Sequence, residues 1–213
     1  MNALEMGRWA VLKVDTTGKK IGVDHVVDVA VVQFDGTTFV GEGRAVVNPQ
    51  VPIHPKASAI HGITNERVAT RPLLTQVADR LAARIATRTI VGYNVAKFDV
   101  PMLTKDLEQS GMERLAGVIR AVPVVDVLLL ARHLEPAFHS YGFEAVASRA
   151  GVELPKKDGR ALSHAHGIWS VLMALARKQP AVFDVRDSDF IEYAQSLLLP
   201  SRAGRTVERG YDV

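Results

Sequence analysis

The spacing of apolar and polar positions changes several times along the chain, and each change marks an element. Residues 9 to 15, Trp-Ala-Val-Leu-Lys-Val-Asp, alternate like a strand, with Leu12 and Val14 on one face and Lys13 and Asp15 on the other. The polar turn TTGKK follows, then the strand VVDVAVVQFDG at 26–36, closed by Asp-Gly, and a third run, TFVGEGRAVVNP. Together they predict an antiparallel meander of three strands. The stretch NPQVPIHPKASAIHGIT at 48–64 carries Pro49, Pro52 and Pro55 and is expected to be loop rather than regular helix. Apolar residues at i, i+3 and i+4 then predict a helix over 73–86. TIVGYN at 89–94 reads as a short buried strand, 100–111 as a helix closed by Gly111, and VVDVLLLARHL at 124–134 as a strand running into a helix. Two more helices are predicted at 141–150 and 160–178, joined by GVELPKKDG. Past Pro180, DSDFIEYAQSLLLP predicts a short amphipathic helix with Ser188 as its N-cap, and SRAGRTVERGYDV has little to bury.

Strands come first and strand–helix alternation follows, which predicts one α/β domain over 8–180, a helical appendage at 187–199 and a flexible tail at 200–213. Composition narrows the function classes. The chain has 213 residues, 47% of them hydrophobic and 23% charged, and no apolar run nears the roughly 20 residues of a membrane span, so no membrane association is expected. The start, MNALEMGRWA, lacks the basic, apolar and small-residue segments of a secretory signal, so a cytoplasmic location is expected. Zero cysteines exclude disulfides, thiolate metal sites and cysteine nucleophiles. A net charge of +3 favours a polyanion partner only mildly.

Lys13 changes this picture. A charge inside a buried strand is rare unless paired or functional, because an unpaired charge removed from water costs several kcal/mol. Lys13 shares its face with Asp15, so a plus and a minus are expected side by side.

Six stretches, in matching order and spacing, carry a resemblance to a known family: VDTTG at 14–18, HVVDVAVVQFDG at 25–36, NPQVPIHPKASAIHGIT at 48–64, VGYNVAKFDVPML at 91–103, VVDVLLLARHL at 124–134 and SYGFEAVASRAGV at 140–152. Over about 8–178 the chain resembles the DnaQ-like 3′–5′ exonucleases of the DEDDh type. The resemblance implies a ribonuclease H-like fold: an α/β arrangement whose mixed sheet, a three-strand antiparallel meander plus parallel strands, is flanked by helices. It also implies removal of 3′-terminal nucleotides with two divalent metals about 3.5–4 Å apart.

Family members hold those metals with an Asp and a Glu two apart on the first strand, an Asp after the Asn-containing strand and an Asp on the last helix, with a His five residues before that Asp as base. Carried over without gaps, the resemblance puts Lys13 at the first Asp, Asp15 at the Glu, Asp99 at the second-motif Asp, Gly159 at the base and His164 at the last Asp. Asp99 alone is unchanged, and Asp15 is a shortened carboxylate. A register with a two-residue gap would instead put Asp15 at the first Asp and lose the Glu. The ungapped carry-over implies weak or absent metal binding by Asp15 and Asp99. Lys13 is then expected to pair with both and to stand in for the metals electrostatically.

The same resemblance assigns contacts with a terminal nucleotide to Thr16, Thr17, Gly18, His61, Asn94 and Phe98. Asp99 also reads as an N-cap of the following helix. His61 reads as a residue holding its loop by hydrogen bonds, and Lys156, Lys157 and Arg160 as phosphate contacts or as a solvated loop. His164 and His166 sit two apart on a helix, roughly 200° around its axis, and cannot chelate one ion together. Three functions remain open. The first is a catalytically inactive or weak binder of single-stranded DNA or RNA 3′ ends that needs no cofactor. The second is an active exonuclease with a rearranged site using Mg or Mn. The third is an interaction module that docks a protein partner, or a second copy in a homodimer, through the C-terminal helix.

Overall fold

The structure, a computed structural model, describes residues 2–154 and 160–199. Gly159, Lys156 and Lys157, the side chain of Arg160 and the expected tail at 200–213 lie outside the described residues. The chain opens with α1 (Ala3–Met6), held by a reciprocal capping box between Asn2 and Glu5, and enters β1 (Arg8–Thr16). Strands β2 (Val26–Asp35) and β3 (Thr38–Val46) follow, joined by a tight turn in which Gly36 takes a φ of 58°. Next come α2 (Pro55–His61), α3 (Asn65–Val68), α4 (Leu74–Ile85), β4 (Thr89–Gly92), α5 (Asp99–Gln109), α6 (Glu113–Arg120) and β5 (Val124–Asp126). The described chain closes with α7 (Val127–Leu134), α8 (Phe143–Arg149), α9 (Arg160–Lys178), α10 (Pro180–Phe183) and α11 (Asp187–Ser196).

The five strands form one sheet in the order β3-β2-β1-β4-β5. Strand β1 runs antiparallel to β2 and parallel to β4, and β4 runs parallel to β5. The expected meander plus parallel strands is therefore present. Parallel pairing brings the carboxyl ends of β1, β4 and β5 to one edge, where open α/β sheets bind ligands.

Period-two alternation in β1 sends its side chains into two cores. Trp9 and Val11 join Val32 and Phe34 against α7, α9 and α11, while Ala10, Leu12 and Val14 join Val29 and Val31 against α4, α5 and α6. Phe34 stacks on Trp169 of α9 with centroids 4.2 Å apart. Trp9 donates its indole N–H to Leu4 and meets Phe190 of α11 edge-on, so both ends of the described chain reach the same core.

Three local expectations are corrected. The proline-rich stretch does contain a helix, because all three prolines precede its body and Pro55 occupies the first turn, where the missing N–H has no intrahelical partner anyway. Ser188 is not an N-cap. Helix α11 starts at Asp187 with Arg186 in the cap position, and Asp187 and Asp189 supply the negative charge its amino end favours. Helices α1, α3, α6 and α10 were not foreseen; α6 is eight residues long and buries only Leu115, Ala116 and Ile119.

Candidate functional site

The carboxyl edge of the sheet gathers the polar residues of the strands. Lys13 and Asp15 are half-buried on the α9 side of β1, as alternation requires. The Lys13 ammonium lies 2.9 Å from Oδ1 of Asp99 and donates also to the Val14 carbonyl at 2.7 Å. Its side chain is 18% exposed and that of Asp99 1%. The Phe98 ring sits 5.7 Å below the ammonium, within cation–π range. Burial pulls the Lys13 pKa down, but Asp99, Asp15 and Asp28 outweigh it and hold the ammonium above its ordinary 10.5.

Two expectations are refined by this geometry. Lys13 makes its direct ion pair with Asp99 and not with Asp15. Residues two apart on a strand are separated by about 7 Å, whereas the first turn of α5 comes within reach of the lysine tip. Asp99 does not cap its own helix. It is the first helical residue, with Phe98 in the cap position, and its Oδ1 accepts from the Val14 N–H across on β1 at 2.8 Å. One carboxylate oxygen thus ties α5 to β1 through an amide and an ammonium. Oδ2 of Asp99 and Oδ2 of Asp15 are both buried with no hydrogen-bond partner.

Directly across from Asp15 on β2 is Asp28, fully buried and held bidentately by Arg44 of β3 at 2.7–3.0 Å. Burial pushes the Asp28 carboxyl above its ordinary value, while Arg44, hydrogen-bonded to Asp28, is held above its own. The first shift reports the cost of burying the carboxylate and the second the strength of the pair; the fork geometry fits both groups ionised. At the end of β5, Asp126 accepts from the amides of Asn94, Ala96 and Leu128. Burial raises its carboxyl and the three amides offset part of the rise. Those amides fix the turn in which Asn94 adopts a φ of 57°, and the Asn94 carbonyl takes the Phe98 N–H, which leads the chain to Asp99.

The turn after β1 is built from its own hydroxyls. Thr16 donates to the Gly18 carbonyl, and Thr17 donates to Asp24 at 3.0 Å while accepting from the His25 amide. His61 is buried, with Nε2 3.1 Å from the Thr16 carbonyl and Nδ1 accepting from Ile63. On α9, His164 lies 5.4 Å from the Phe143 ring and His166 meets Glu42 at 2.7 Å. The edge therefore brings Lys13, Asp15, Asp99, Phe98 and Asn94 together, with the Thr16–Gly18 turn beside them. Sequence reasoning passed over Asp28, Arg44 and Asp126; the first and last are single acids inside apolar runs, the same signal that singled out Lys13. Among the described residues, no group of three or more His, Asp or Glu is placed to hold a metal ion. A concavity of about 610 Å³ lies at the opposite end of the sheet, between Arg8, Thr89 and Pro123, away from this cluster. No described helix is long and apolar enough to cross a membrane.

With this geometry in place, known proteins give the cluster a context. A family model described as exonuclease, RNase T, matches residues 14–193. A DNA polymerase III subunit epsilon-like protein of Rhodobacter capsulatus is 31% identical over 152 residues, 70% of this chain and 21% of that protein. The PolC-type DNA polymerase III of Bacillus cereus is 25% identical over 146 residues, 68% of this chain and 10% of the polymerase. The chain thus spans about a tenth to a fifth of these relatives' own length. Among solved structures, E. coli exonuclease I in complex with a dT13 oligonucleotide superposes with a TM-score of 0.71, covering 84% of this chain and 43% of that one at 17% identity. That likeness establishes the ribonuclease H-like fold.

Proposed function

The chain belongs to the RNase T exonuclease family, and from that premise we propose that it binds the 3′ end of single-stranded DNA or RNA at a site where the Lys13 ammonium replaces the metals. The buried Lys13–Asp99 pair at 2.9 Å carries this reading. The family places a carboxylate at the position of Lys13, between two dications. Here a cation of the chain itself occupies one oxygen of Asp99 and adds its charge where a metal would bring its own. The described donors do not suit a pair of divalent ions: of the two carboxylates at this edge, Asp99 is already ion-paired, and the Lys13 ammonium 2.9 Å from it repels a dication that approaches the same oxygen. Substitution of the base and of the last Asp by Gly159 and His164 works in the same direction.

Single strands can be held without metal by stacking and phosphate contacts. The fold shared with exonuclease I, solved with dT13, supports a single strand as ligand. Thr16, Thr17 and His61 then act through the turn after β1, since their side chains make hydrogen bonds within it or to its backbone, while Phe98, Asn94 and the backbone at Gly18 are the nucleotide contacts of this reading.

A second reading, a metal-dependent 3′–5′ exonuclease with a rearranged site, is favoured by one observation. Oδ2 of Asp15 and of Asp99 are buried acceptors without a donor, and a cation would satisfy both. One experiment separates the two readings. 5′-labelled single-stranded DNA and RNA are incubated with protein in Mg, Mn or EDTA, beside an Asp99→Ala control, and read on a denaturing gel and by fluorescence anisotropy. Intact strands, with binding that ignores chelator and weakens with salt, are expected. A ladder shortening from the 3′ end that needs both metal and Asp99 overturns the first reading in favour of the second.

A further inference from the structure

Leading away from this edge towards the far end of α9, helices α7 and α8 and the loop between them carry a row of two rings flanked by two guanidinium groups that the site does not use. The Arg149 guanidinium lies 4.2 Å from the centre of the Phe138 ring, Phe138 packs 5.7 Å from Tyr141, and Arg132 lies 5.4 Å from the Tyr141 ring. Two backbone contacts hold the array in place. Tyr141 donates to the Glu135 carbonyl at 2.7 Å, and Tyr93, one residue before Asn94, donates to the Tyr141 carbonyl at 2.6 Å. The second bond ties the loop to the turn that precedes Asp99. Arg149 is exposed, so the guanidinium that sits over the Phe138 ring also reaches solvent.

We propose that this ladder is a stacking track for nucleotides upstream of the bound 3′ end. Guanidinium planes and aromatic rings accept bases face-on regardless of sequence, and their positive charge suits the accompanying phosphates. The inference rests on the 3′-end binding proposed above and adds the path that the rest of the strand follows. It also commits the ladder to one occupant, a single strand several nucleotides long. Fixed rings lose little freedom on binding, which suits a track already built before the ligand arrives.

The test measures anisotropy of a labelled trinucleotide and of a strand of about twelve nucleotides, both in EDTA, with the whole chain and with Arg149→Gln and Arg149→Lys. Arg149 is exposed, so neither variant disturbs the core. Arg149→Gln is expected to weaken the long strand about tenfold and leave the trinucleotide unchanged. Arg149→Lys, which keeps the charge and loses the planar face, is expected to recover less than half of that loss on a logarithmic scale. Full recovery by Lys overturns the track, because charge alone would then explain the effect. Unchanged binding of the long strand by Arg149→Gln overturns the track and leaves 3′-end binding standing. Failure of the unsubstituted chain to bind either strand overturns both.

Discussion

Replacing Lys13 by Met keeps the length of the side chain and removes its charge, leaving Asp99 as a buried carboxylate with one amide for company. Two unit charges 2.9 Å apart attract by about 6 kcal/mol at an effective dielectric of ~20. Desolvation of both groups returns part of this, and removing one partner of a buried pair typically costs about 3–5 kcal/mol. Asp99 keeps the Val14 amide and Lys13 is 18% exposed, so the low end, about 3 kcal/mol at pH 7, is expected. For a chain of this size that moves the urea midpoint down by roughly 1–1.5 M. The pH dependence follows from the raised pKa of Lys13: its contribution is fully present below the ordinary 10.5 and is lost as pH rises through the higher folded value. The gap between the native chain and Lys13→Met should therefore be flat between about pH 7 and 10 and close only above 10.5. The double variant Lys13→Met/Asp99→Asn, which deletes the orphaned charge but keeps an acceptor for Val14, should regain most of the loss. A midpoint shift under about 0.2 M, or strictly additive effects in the double variant, would show that the pair does not hold α5 to β1 as described.

Three further outcomes are expected. The triple variant Lys13→Asp, Gly159→His, His164→Asp restores the family's donor set apart from the shortened Asp15, and should bind Mn with a heat signal in titration calorimetry; silence there tells against the ungapped register. Asp126→Ala strips the acceptor from three amides and should lower stability by about 2–4 kcal/mol in thermal unfolding. Because burial holds the Asp126 carboxyl above its ordinary 3.8, the native chain binds the extra proton just above that value, so this group's contribution grows as pH falls through that window, and the variant should lack that component. Phe190→Ala empties the contact between Trp9 and Phe183 and should cost about 3–5 kcal/mol, measured by urea unfolding; a near-neutral result would mean α11 is not part of the core.

Periodicity located the strands and long helices because burial imposes it. Helices α4 and α9 each bury one face and strand β1 buries both, and their bounds fall within a residue or so of those predicted. Short elements escaped for the opposite reason: α1 and α10 are single turns, too brief to display a period. Lys13 was legible as an anomaly, a cation in an apolar run. Its partner was not, since Asp99 lies 86 residues away and only the crossing of α5 over the end of β1 brings the two together. Asp28 shows the same limit, because nothing in VVDVAVV names Arg44 as the fork that would neutralise it.

An ammonium and a pair of dications differ in more than total charge. Both offset the repulsion among Asp15, Asp28 and Asp99, which is what the fold requires of the site, and Lys13 does so while making two hydrogen bonds of its own. A dication also polarises bound water enough to make hydroxide near neutral pH, and two of them hold the attacking and leaving oxygens in line. Lysine, held protonated to above pH 10.5, can do neither: it has no open coordination position and does not give up its proton in the neutral range. If Lys13 replaces the metals as proposed, the structural task of the cations is separated from the chemical one. On the proposed reading such a site keeps the electrostatics that suit a 3′ end and lacks the means of cutting it, which is why strand binding in chelator and strand cleavage in manganese are the two measurements that divide the readings.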